Sequence, residues 1–317
     1  MNVVYYEKRS PEIERILINC AKPYFDLKFN EPTEGEKCSV MNADAIICHG
    51  KEVSEEIING NPKLKIIHTV GIGYDTQHVD FAKEHGVFVC NCQGGSSDCV
   101  AELDIGLMIA LSRRIVQVAN DTRNGEWPYW TYRADTHMIT GKTAGVIGAG
   151  GIGRAVLKKC KAFDMKTVYY DIKPIPGEIE KQLDTSRVSL DELLEQADVI
   201  FLLVPLFPST YKLIGREQFR RMKKSAIFIN DSRGECVDQD ALVEALINGD
   251  IWGAALDVVY PEPLPKDHIL RKLPNVILTS HAGSATTELL EKLFTFTAKN
   301  VAKCLAGERP ENIVNGL

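Results

Sequence analysis

Ten short runs of consecutive apolar residues divide this 317-residue chain, and the segments between most of them have the spacing of amphipathic helices. Runs rich in valine and isoleucine are typical of strands buried on both faces, and intervening helices make such strands parallel. We therefore predict an α/β protein with two successive doubly wound parallel-sheet units. The runs are 3–6, 45–49, 65–70 and 87–92 in the first unit, and 143–148, 167–171, 199–204, 226–231, 253–259 and 276–281 in the second.

A break between the two units is predicted near residue 100. It is marked by the polar turn CQGGSSD, which is followed by one long helical pattern from about Asp98 to Ala119. Another amphipathic run extends from about Thr286 to Gly307. We expect this last helix to return to the first unit, so that the chain crosses between the units twice. The predicted domains are then 1–99 with 282–317, and 100–281 inserted between them.

Charge and composition exclude several classes of protein. The net charge is -6 and no basic stripe is visible, which argues against a nucleic-acid partner. The longest apolar runs, such as VIFLLVPLF, are too short to cross a bilayer, and the start of the chain does not resemble a signal peptide. Nine scattered cysteines predict reduced thiols in a cytoplasmic protein. Cys90, Cys92 and Cys99 lie close together, but no histidine stands at ligand spacing, so we expect no metal there.

A glycine-rich loop predicts a dinucleotide site. Gly148-x-Gly150-x-x-Gly153 lies between an apolar strand and a helix, and the next strand ends at Asp171, 18 residues after Gly153. Gly148 would make the tight turn, Gly150 would let a pyrophosphate approach the backbone, and Gly153 would let the helix pack on the strand. The helix N-terminus would present free N–H groups to the phosphates. Asp171 would accept hydrogen bonds from the ribose and repel a 2′-phosphate, which favours NAD, although nearby Lys173 leaves NADP open. The predicted phosphate cradle is Gly148, Gly150, Gly151, Ile152 and Gly153.

Three polar residues follow three predicted strands of the second unit. Arg233, Glu262 and His281 each come just after an apolar run, and Glu262 stands between two prolines that restrict the backbone. The carboxyl ends of parallel strands meet at one edge of the sheet, where ligands bind. Taken singly, the arginine is compatible with a helix cap, the glutamate with a solvated surface and the histidine with an ordinary loop. Together, beside a dinucleotide, they predict a catalytic set.

With these motifs in order, the chain resembles the D-isomer-specific 2-hydroxyacid dehydrogenases over nearly its whole length. The resemblance rests on VGIGYD (70–75), SDCVAEL (97–103), GAGGIG (148–153), VPLFPSTYKLIG (204–215), INDSRGECVDQDALVEAL (229–246), GAALDVVYPEPLP (253–265) and SHAGSATTE (280–288). It implies an inserted Rossmann domain for the nucleotide, a flavodoxin-like substrate-binding domain made from both termini, and a homodimer. Two positions depart from the family pattern: Leu103, where many relatives have histidine, and Asp231, where a small or apolar residue is more usual.

The resemblance also implies further contacts. Backbone N–H groups at Val70 and Gly71 would bind the substrate carboxylate, and the other expected substrate-binding residues are Ile72, Arg233 and His281. Asp257 would hold the nicotinamide carboxamide. The remaining residues expected to line the nucleotide crevice are Val204, Pro205, Thr210, Asp231 and Ser232. Ordinary loop packing is the alternative explanation for these crevice residues.

The expected reaction is reversible reduction of a small 2-oxo acid to its D-2-hydroxy acid. His281 would donate a proton to the carbonyl oxygen, with Glu262 stabilising the cationic imidazole and Arg233 binding the carboxylate. Hydroxypyruvate or glyoxylate is the expected substrate, because the segment AIICHGKEVS offers only His49 and Lys51 to a phosphate. RNGEWPYW (123–130) resembles the aromatic segment of glyoxylate/hydroxypyruvate reductases, and packing of Trp127 and Trp130 in a dimer interface is an equal alternative.

Three other functions stay open at this stage. Phosphoglycerate dehydrogenase activity uses the same catalytic set, and such enzymes sometimes carry an extra regulatory domain that this sequence does not show. A non-catalytic, NAD-sensing corepressor shares the fold, but we expect such a protein to have long disordered tails. Formate and phosphite dehydrogenases are related too, and formate enzymes typically have glutamine where Glu262 stands.

Overall fold

The computed structural model describes residues 1–33 and 35–317, and it divides into two compact units. One unit comprises Met1–Ser96 with Ala285–Leu317, and the other comprises Ser97–Ser284. The C-terminal segment therefore belongs to the first unit, and the observed bounds differ by three residues from the predicted 1–99, 100–281 and 282–317. Strands and helices are numbered below in chain order.

The first unit is built on a five-stranded, wholly parallel sheet. Its strands are β1 (Val3–Tyr5), β2 (Leu27–Phe29), β3 (Ala45–Cys48), β4 (Ile66–Thr69) and β5 (Phe88–Cys90), in the spatial order β2-β1-β3-β4-β5. Every residue of β1, β3 and β4 is buried, as continuous apolar runs predict. This strand order is that of the flavodoxin-like fold, which confirms the prediction for this unit.

Four helices belong to the same unit: α1 (Pro11–Ala21), α2 (Glu55–Asn59), α3 (Val79–Glu84) and the long C-terminal α11 (Thr287–Leu305). The hydroxyl of Ser10 accepts a hydrogen bond from the N–H of Ile13 and so starts α1. Thr286 caps α11 in the same way, through the N–H of Leu289. The apolar face of α11 is buried, which explains the helical spacing of its sequence.

The second unit is built on a seven-stranded parallel sheet. Its strands are β6 (Thr143–Ile147), β7 (Lys166–Tyr170), β8 (Thr185–Arg187), β9 (Val199–Leu202), β10 (Ile227–Asn230), β11 (Gly253–Leu256) and β12 (Val276–Leu278). The spatial order is β12-β11-β10-β9-β6-β7-β8. Counted from β6, this is the Rossmann order 3-2-1-4-5-6 with one more strand at the edge, so the predicted Rossmann fold is confirmed.

The helices of this unit are α4 (Ser97–Ser112), α5 (Ile115–Arg123), α6 (Gly151–Ala162), α7 (Gly177–Leu183), α8 (Leu190–Gln196), α9 (Arg216–Arg221) and α10 (Gln239–Asn248). The prediction of one helix from Asp98 to Ala119 is wrong. Arg114 has a left-handed backbone with φ 49°, which ends α4 and lets the chain start α5 in a new direction. Its guanidinium contacts the carbonyl oxygen of Pro274 at 3.1 Å and the carboxylate of Asp135.

Each of the nine cysteines is a thiol that lies outside any disulfide bond. Burial, followed by the neighbouring Cys304 and Cys92, raises the pKa of Cys90 to about 12, so this thiol stays protonated. In the described part of the chain, no group of three or more histidine, cysteine or acidic side chains is arranged to hold a metal ion. None of the helices in residues 1–33 and 35–317 is both long and apolar enough to span a bilayer.

Candidate active site

The glycine loop has the local geometry that a dinucleotide needs. Gly148 has φ 99°, and a Cβ atom at this position would lie 2.6 Å from the carbonyl oxygen of Leu203. A Cβ atom on Gly153 would lie 2.1 Å from the carbonyl oxygen of Gly148. Gly148 and Gly153 are therefore fixed by packing within the protein. A Cβ atom on Gly150 would meet only open space, so this residue leaves room for a ligand to approach the backbone.

The N-terminus of α6 faces the same open space. α6 begins at Gly151, so the N–H groups of Gly151, Ile152 and Gly153 belong to its first turn, where no intrahelical acceptor exists. Free N–H groups and the positive end of the helix dipole bind a pyrophosphate favourably. The residues present therefore fit the phosphate part of a dinucleotide.

Asp171 lies beside this loop, directly after β7. One carboxylate oxygen accepts a hydrogen bond from the N–H of Ala149 at 2.8 Å, and the other accepts from the N–H of Lys173 at 3.0 Å. Arg187 donates to the backbone carbonyl of Asp171 through Nε and Nη2, at 3.1 and 2.8 Å. The carboxylate is thus held next to the glycine loop, which is where an acceptor for ribose hydroxyls is needed.

The strand order of the second sheet changes direction between β6 and β9: β7 and β8 lie on one side of this pair, and β10, β11 and β12 lie on the other. Ligands of open α/β sheets bind at such a switch point, beyond the carboxyl ends of the strands. Val204 and Pro205 follow β9 there, and a Cβ atom on Gly148 would lie 3.0 Å from Cγ1 of Val204. The hydroxyl of Thr210 donates to the carbonyl of Pro205 at 2.6 Å and accepts from the N–H of Phe207 at 2.7 Å. Thr210 therefore shapes this loop, and its contact with a nucleotide stays a prediction.

The three predicted catalytic residues follow β10, β11 and β12, which pair side by side in parallel. Gly234 brings two of the connecting loops together, because a Cβ atom there would lie 2.2 Å from the carbonyl carbon of Val259. Only glycine allows this close approach. It holds the backbone next to Arg233 against the segment that leads to Glu262.

His281 and Glu262 form a hydrogen-bonded pair. Nδ1 of His281 lies 2.9 Å from Oε2 of Glu262, and Oε1 of Glu262 accepts from the N–H of Val259 at 3.2 Å. The hydrogen bond to Glu262 raises the pKa of His281 above its ordinary value, and the negative charge of Glu262 adds to this rise against the effect of burial. Burial alone would raise the pKa of Glu262, but its hydrogen bond to His281 and the charge of the imidazole outweigh burial and lower it.

Arg233 completes the group electrostatically. Its positive charge opposes the rise in the pKa of His281 and contributes to the lowered pKa of Glu262. Nη1 of Arg233 donates to the carbonyl of Ser232 at 2.7 Å. The structure therefore brings Arg233, Glu262 and His281 into one neighbourhood, as the order of their strands predicts.

Asp257 and Ser232 have partners within the protein. The carboxylate of Asp257 is buried and accepts hydrogen bonds from the N–H groups of Ala282 and Gly283, both at 2.8 Å, and from the hydroxyl of Thr279. Ser232 Oγ donates to the amide oxygen of Asn230 at 2.6 Å. These contacts give both residues a structural role, and their contact with a cofactor stays a prediction.

Asp231 lies in an unusual electrostatic environment. Burial, and then the charge of Asp257, raise its pKa to about 7, while His281 and Arg233 act in the opposite direction. A further acid that sequence reasoning missed, Asp104 of α4, is fully buried and interacts with the same carboxyl groups. The available signal was an aspartate within the otherwise apolar stretch that follows VAEL in α4.

The predicted substrate loop of the first unit follows β4, and one part of that prediction is wrong. The N–H of Val70 donates to the carbonyl of Cys48 at 2.7 Å, so it extends the sheet and is not available to a substrate. Gly71 has φ 151°, a backbone conformation that favours glycine, and no atom would obstruct a Cβ there. The Ile72 side chain is exposed, and its carbonyl accepts from Asn91 Nδ2 at 2.7 Å. Gly71 and Ile72 remain the candidates for substrate binding.

Comparison with known proteins agrees with this geometry. The model of the family "D-isomer specific 2-hydroxyacid dehydrogenase, NAD binding domain" matches residues 105–283, which is more than half of the chain. The second unit thus contains the nicotinamide dinucleotide-binding fold of an oxidoreductase that acts on CH–OH groups. The chain belongs to the D-isomer specific 2-hydroxyacid dehydrogenase family.

Similar proteins carry more than one substrate name. A glyoxylate reductase of Thermofilum pendens is 39% identical over 87% of this chain and 83% of that protein. A D-3-phosphoglycerate dehydrogenase of Methanocaldococcus jannaschii is 42% identical over 87% of this chain, but the match covers only 52% of that longer protein. The apo-structure of D-lactate dehydrogenase from Escherichia coli has a TM-score of 0.86 and 29% identity, with 98% of this chain and 99% of that chain covered.

Proposed function

We propose that this protein reduces a small, unphosphorylated 2-oxo acid with NADH, with Arg233, Glu262 and His281 as its catalytic residues. The observation that carries the proposal is the 2.9 Å contact between His281 Nδ1 and Glu262 Oε2, at a strand edge that also presents Arg233. A bound dinucleotide supplies the hydride that is exchanged with carbon 2 of the substrate. The protein has to bind the acid, orient it and move one proton.

His281 serves as the proton donor in reduction. Its Nδ1 atom faces Glu262, so Nε2 is the ring atom left to face a substrate oxygen. Because Glu262 raises the pKa of His281, a larger fraction of the imidazole is protonated at neutral pH than in a free histidine. In the oxidative direction, the same Nε2 atom accepts the hydroxyl proton.

Arg233 serves as the carboxylate anchor. Its planar guanidinium can donate two parallel hydrogen bonds to a carboxylate, which fixes the orientation of the acid. A positive charge beside the carbonyl oxygen also stabilises the negative charge that develops there during reduction. Gly71 and Ile72 are proposed to add backbone N–H groups from the loop after β4.

Glyoxylate and hydroxypyruvate are the proposed substrates. An unphosphorylated substrate is supported by the position of Glu7 in the first unit. Glu7 follows β1, and its carboxylate binds the group of backbone N–H donors that follows β3. Its carboxylate accepts from His49 at 2.7 Å, Gly50 at 2.9 Å and Lys51 at 3.0 Å. Lys51 also pairs with Glu31 at 3.1 Å. A carboxylate of the protein thus occupies the backbone site that would otherwise attract a phosphate at this sheet edge.

NADH is the proposed cofactor because Asp171 holds a carboxylate beside the glycine loop. We also propose that the protein is a homodimer. The aromatic side chains of Trp127, Tyr129 and Trp130 are 81%, 72% and 62% exposed, and an exposed aromatic group of this kind is typical of an interaction surface. Sedimentation equilibrium of the wild type and of Trp127→Ser tests the dimer, and a monomeric wild type would contradict it.

The proposed reaction is tested with a panel of 2-oxo acids and both reduced dinucleotides, followed by loss of nicotinamide absorbance. We expect turnover of glyoxylate and hydroxypyruvate with NADH, and weaker turnover of pyruvate. Because the Methanocaldococcus relative is a D-3-phosphoglycerate dehydrogenase, the panel includes 3-phosphohydroxypyruvate. Preference for that acid would assign the second candidate activity, and no turnover of any acid would favour the corepressor alternative.

A further inference from the structure

Three carboxyl groups from three elements meet at the carboxyl edge of the second sheet. Asp231 and Asp257 directly follow β10 and β11, whose last residues, Asn230 and Leu256, are register partners. The third, Asp104, lies in α4, which packs on both strands, and the charges of Asp231 and Asp257 both act on it. We refer to Asp104, Asp231 and Asp257 as the carboxyl cluster. The proposed proton-transfer scheme does not use the cluster.

Hydrogen-bond donors are distributed unequally within the cluster. Asp257 receives two N–H groups and one hydroxyl, which is the environment that solvates an ionised carboxylate. Asp104 is 0% exposed, and neither of its carboxyl oxygens has a hydrogen-bond partner among the described residues. Oδ2 of Asp231 is likewise buried without a partner in the described part of the chain. Unpartnered carboxyl groups in such surroundings take up a proton, because burying the bare charge is costly.

Asp104 and Asp231 differ in when they ionise, and a side-chain hydrogen bond with Asp257 also raises the pKa of Asp231. Burial, and then the charges of Asp231 and Asp257, raise the pKa of Asp104 well above its ordinary value, so its surroundings favour the neutral form. Asp104 in turn adds to the raised pKa of the buried Cys160 thiol on α6. The pKa of Asp231 is about 7, because His281 and Arg233 partly offset burial and Asp257. Asp231 is therefore the member of the cluster that changes charge near neutral pH.

The backbone around Asp231 is shaped to keep its carboxyl group in place. A Cβ atom on Gly283 would lie 2.9 Å from both carboxyl oxygens of Asp231, so a side chain at that position would displace the acid. The same Gly283 donates its N–H to Asp257. The turn after β12 thus accommodates one acid of the cluster and solvates another.

We propose that Asp231 is a proton-linked binding residue for the oxidised dinucleotide: on the acid side of neutrality it is protonated in the free protein, and it releases its proton to solvent when the cationic nicotinamide ring of NAD+ binds near the ends of β10 and β11. The inference rests on the proposed function, because the position of the ring follows from the proposed cofactor site. A buried negative charge favours a cationic ring and gains nothing from the neutral ring of NADH. Acidic conditions then favour NADH in the site, and alkaline conditions favour NAD+.

The test measures binding and not turnover. NADH affinity is measured by nicotinamide fluorescence, and NAD+ affinity by displacement of NADH, between about pH 5.5 and 8.5, a range that spans the pKa of an ordinary histidine. In the wild type, we expect NAD+ affinity to rise by up to about tenfold per pH unit below the pKa of Asp231 and then to level off, while NADH affinity stays flat. Calorimetry in two buffers of different ionisation enthalpy should find proton release with NAD+ only.

Three isosteric or near-isosteric variants identify the titrating group. Asp231→Asn removes the charge and should abolish the pH dependence of NAD+ affinity. Asp104→Asn is the matched control, because burial already favours the neutral form of Asp104, and it should keep that dependence. His281→Asn removes the neighbouring titrating ring and should keep it too, although His281 also affects Asp231 electrostatically.

Each outcome separates this inference from the proposed function. Persistence of the pH dependence in Asp231→Asn, or its loss in His281→Asn alone, would overturn the inference by assigning the proton to another group. Equal pH profiles for NAD+ and NADH in the wild type would overturn it without affecting the proposed reaction. Failure of the wild type to bind either dinucleotide would overturn both proposals.

Discussion

The imidazole of His281 and the carboxylate of Glu262 are joined through Nδ1 and Oε2 at 2.9 Å, with the other carboxylate oxygen held by the N–H of Val259. Glu262 is therefore fixed from two sides, and the ring of His281 cannot turn Nδ1 away without losing a charge-assisted hydrogen bond. Because this contact raises the pKa of His281, the pH dependence of the proposed reaction should change when either residue is replaced.

Replacement of Glu262 by glutamine should move the pH profile of 2-oxo acid reduction downward. Glu262 raises the pKa of His281, and reduction needs the protonated ring, so activity is present below that pKa and lost as the pH rises through it. Without the carboxylate, the loss should begin at lower pH. Profiles of kcat/KM with glyoxylate measure the shift, and an unmoved profile would disprove the tuning role.

Replacement of His281 by asparagine should lower kcat by about 10²–10⁴-fold, which is the usual contribution of a general acid. Asparagine is the appropriate substitute because His281 has φ 56°, a backbone conformation that asparagine tolerates well. NADH affinity should stay nearly the same, as measured by fluorescence titration. His85→Gln, which changes an exposed histidine stacked on Phe81, is the matched control and should keep full turnover. Normal turnover in His281→Asn would remove the residue from the mechanism.

Replacement of Arg233 by lysine should impair catalysis although the positive charge is kept. Lysine cannot present two parallel N–H groups to a carboxylate, and each lost hydrogen bond to a charged group costs about 1.5–3 kcal/mol. We therefore expect kcat/KM for glyoxylate to fall by at least about tenfold. Steady-state kinetics on Arg233→Lys and Arg233→Ala decide the point, because equal activity of lysine and arginine would show that charge alone is sufficient.

Replacement of Asp171 by serine should weaken the preference for NADH over NADPH. In the proposed cofactor site the carboxylate would face the ribose and repel a 2′-phosphate, whereas the guanidinium of Arg187, which contacts the backbone carbonyl of Asp171, would attract one. Loss of a charged hydrogen-bond acceptor should reduce the ratio of kcat/KM values for NADH and NADPH by about tenfold or more. An unchanged ratio would show that Asp171 only closes the glycine loop through the N–H of Ala149.

His68 should make the protein less stable in acid. The ring is fully buried in β4: Nδ1 lies 3.0 Å from the carbonyl of Thr69, and Nε2 lies 3.1 Å from the amide nitrogen of Asn300. Burial lowers the pKa of His68 from 6.5 to about 4, against the opposing effect of the Thr69 carbonyl. Between these values the unfolded chain binds the extra proton, so the free energy of unfolding should decrease as the pH falls from 6.5 towards 4.

Urea unfolding at several pH values measures this effect. The slope contributed by one such group is at most about 1.4 kcal/mol per pH unit. His68→Gln should be less stable at neutral pH but should lose that part of the slope, whereas the exposed His85→Gln should keep it. The same slope in the wild type and in His68→Gln would assign the acid sensitivity to other groups.

The fold was largely predictable because burial on both faces leaves a direct trace in the sequence. Ten of the twelve strands coincide with continuous apolar runs. The two missed strands, β2 and β8, are the edge strands Leu27–Phe29 and Thr185–Arg187, and both carry exposed polar residues. The break between α4 and α5 was missed because it depends on contacts of Arg114 with Pro274 and Asp135, which are distant in sequence.

The candidate site was predictable where residue order and strand topology are sufficient. Arg233, Glu262 and His281 follow adjacent parallel strands, so their proximity follows from the sheet. The engaged N–H of Val70 was not predictable, because its partner is the carbonyl of Cys48 on the neighbouring strand. The importance of Gly234 was missed too, since nothing in the sequence indicates how closely it approaches Val259.

The close contact between Gly234 and Val259 has a consequence for protein engineering. It joins the loop after β10, which carries Arg233, to the loop after β11, which leads to Glu262, so a change in either loop should disturb the other. Attempts to accept bulkier acids should leave this backbone junction untouched and diversify positions outside it. Substrate selectivity can then be altered while the proposed proton donor, His281, and its partner Glu262 stay in place.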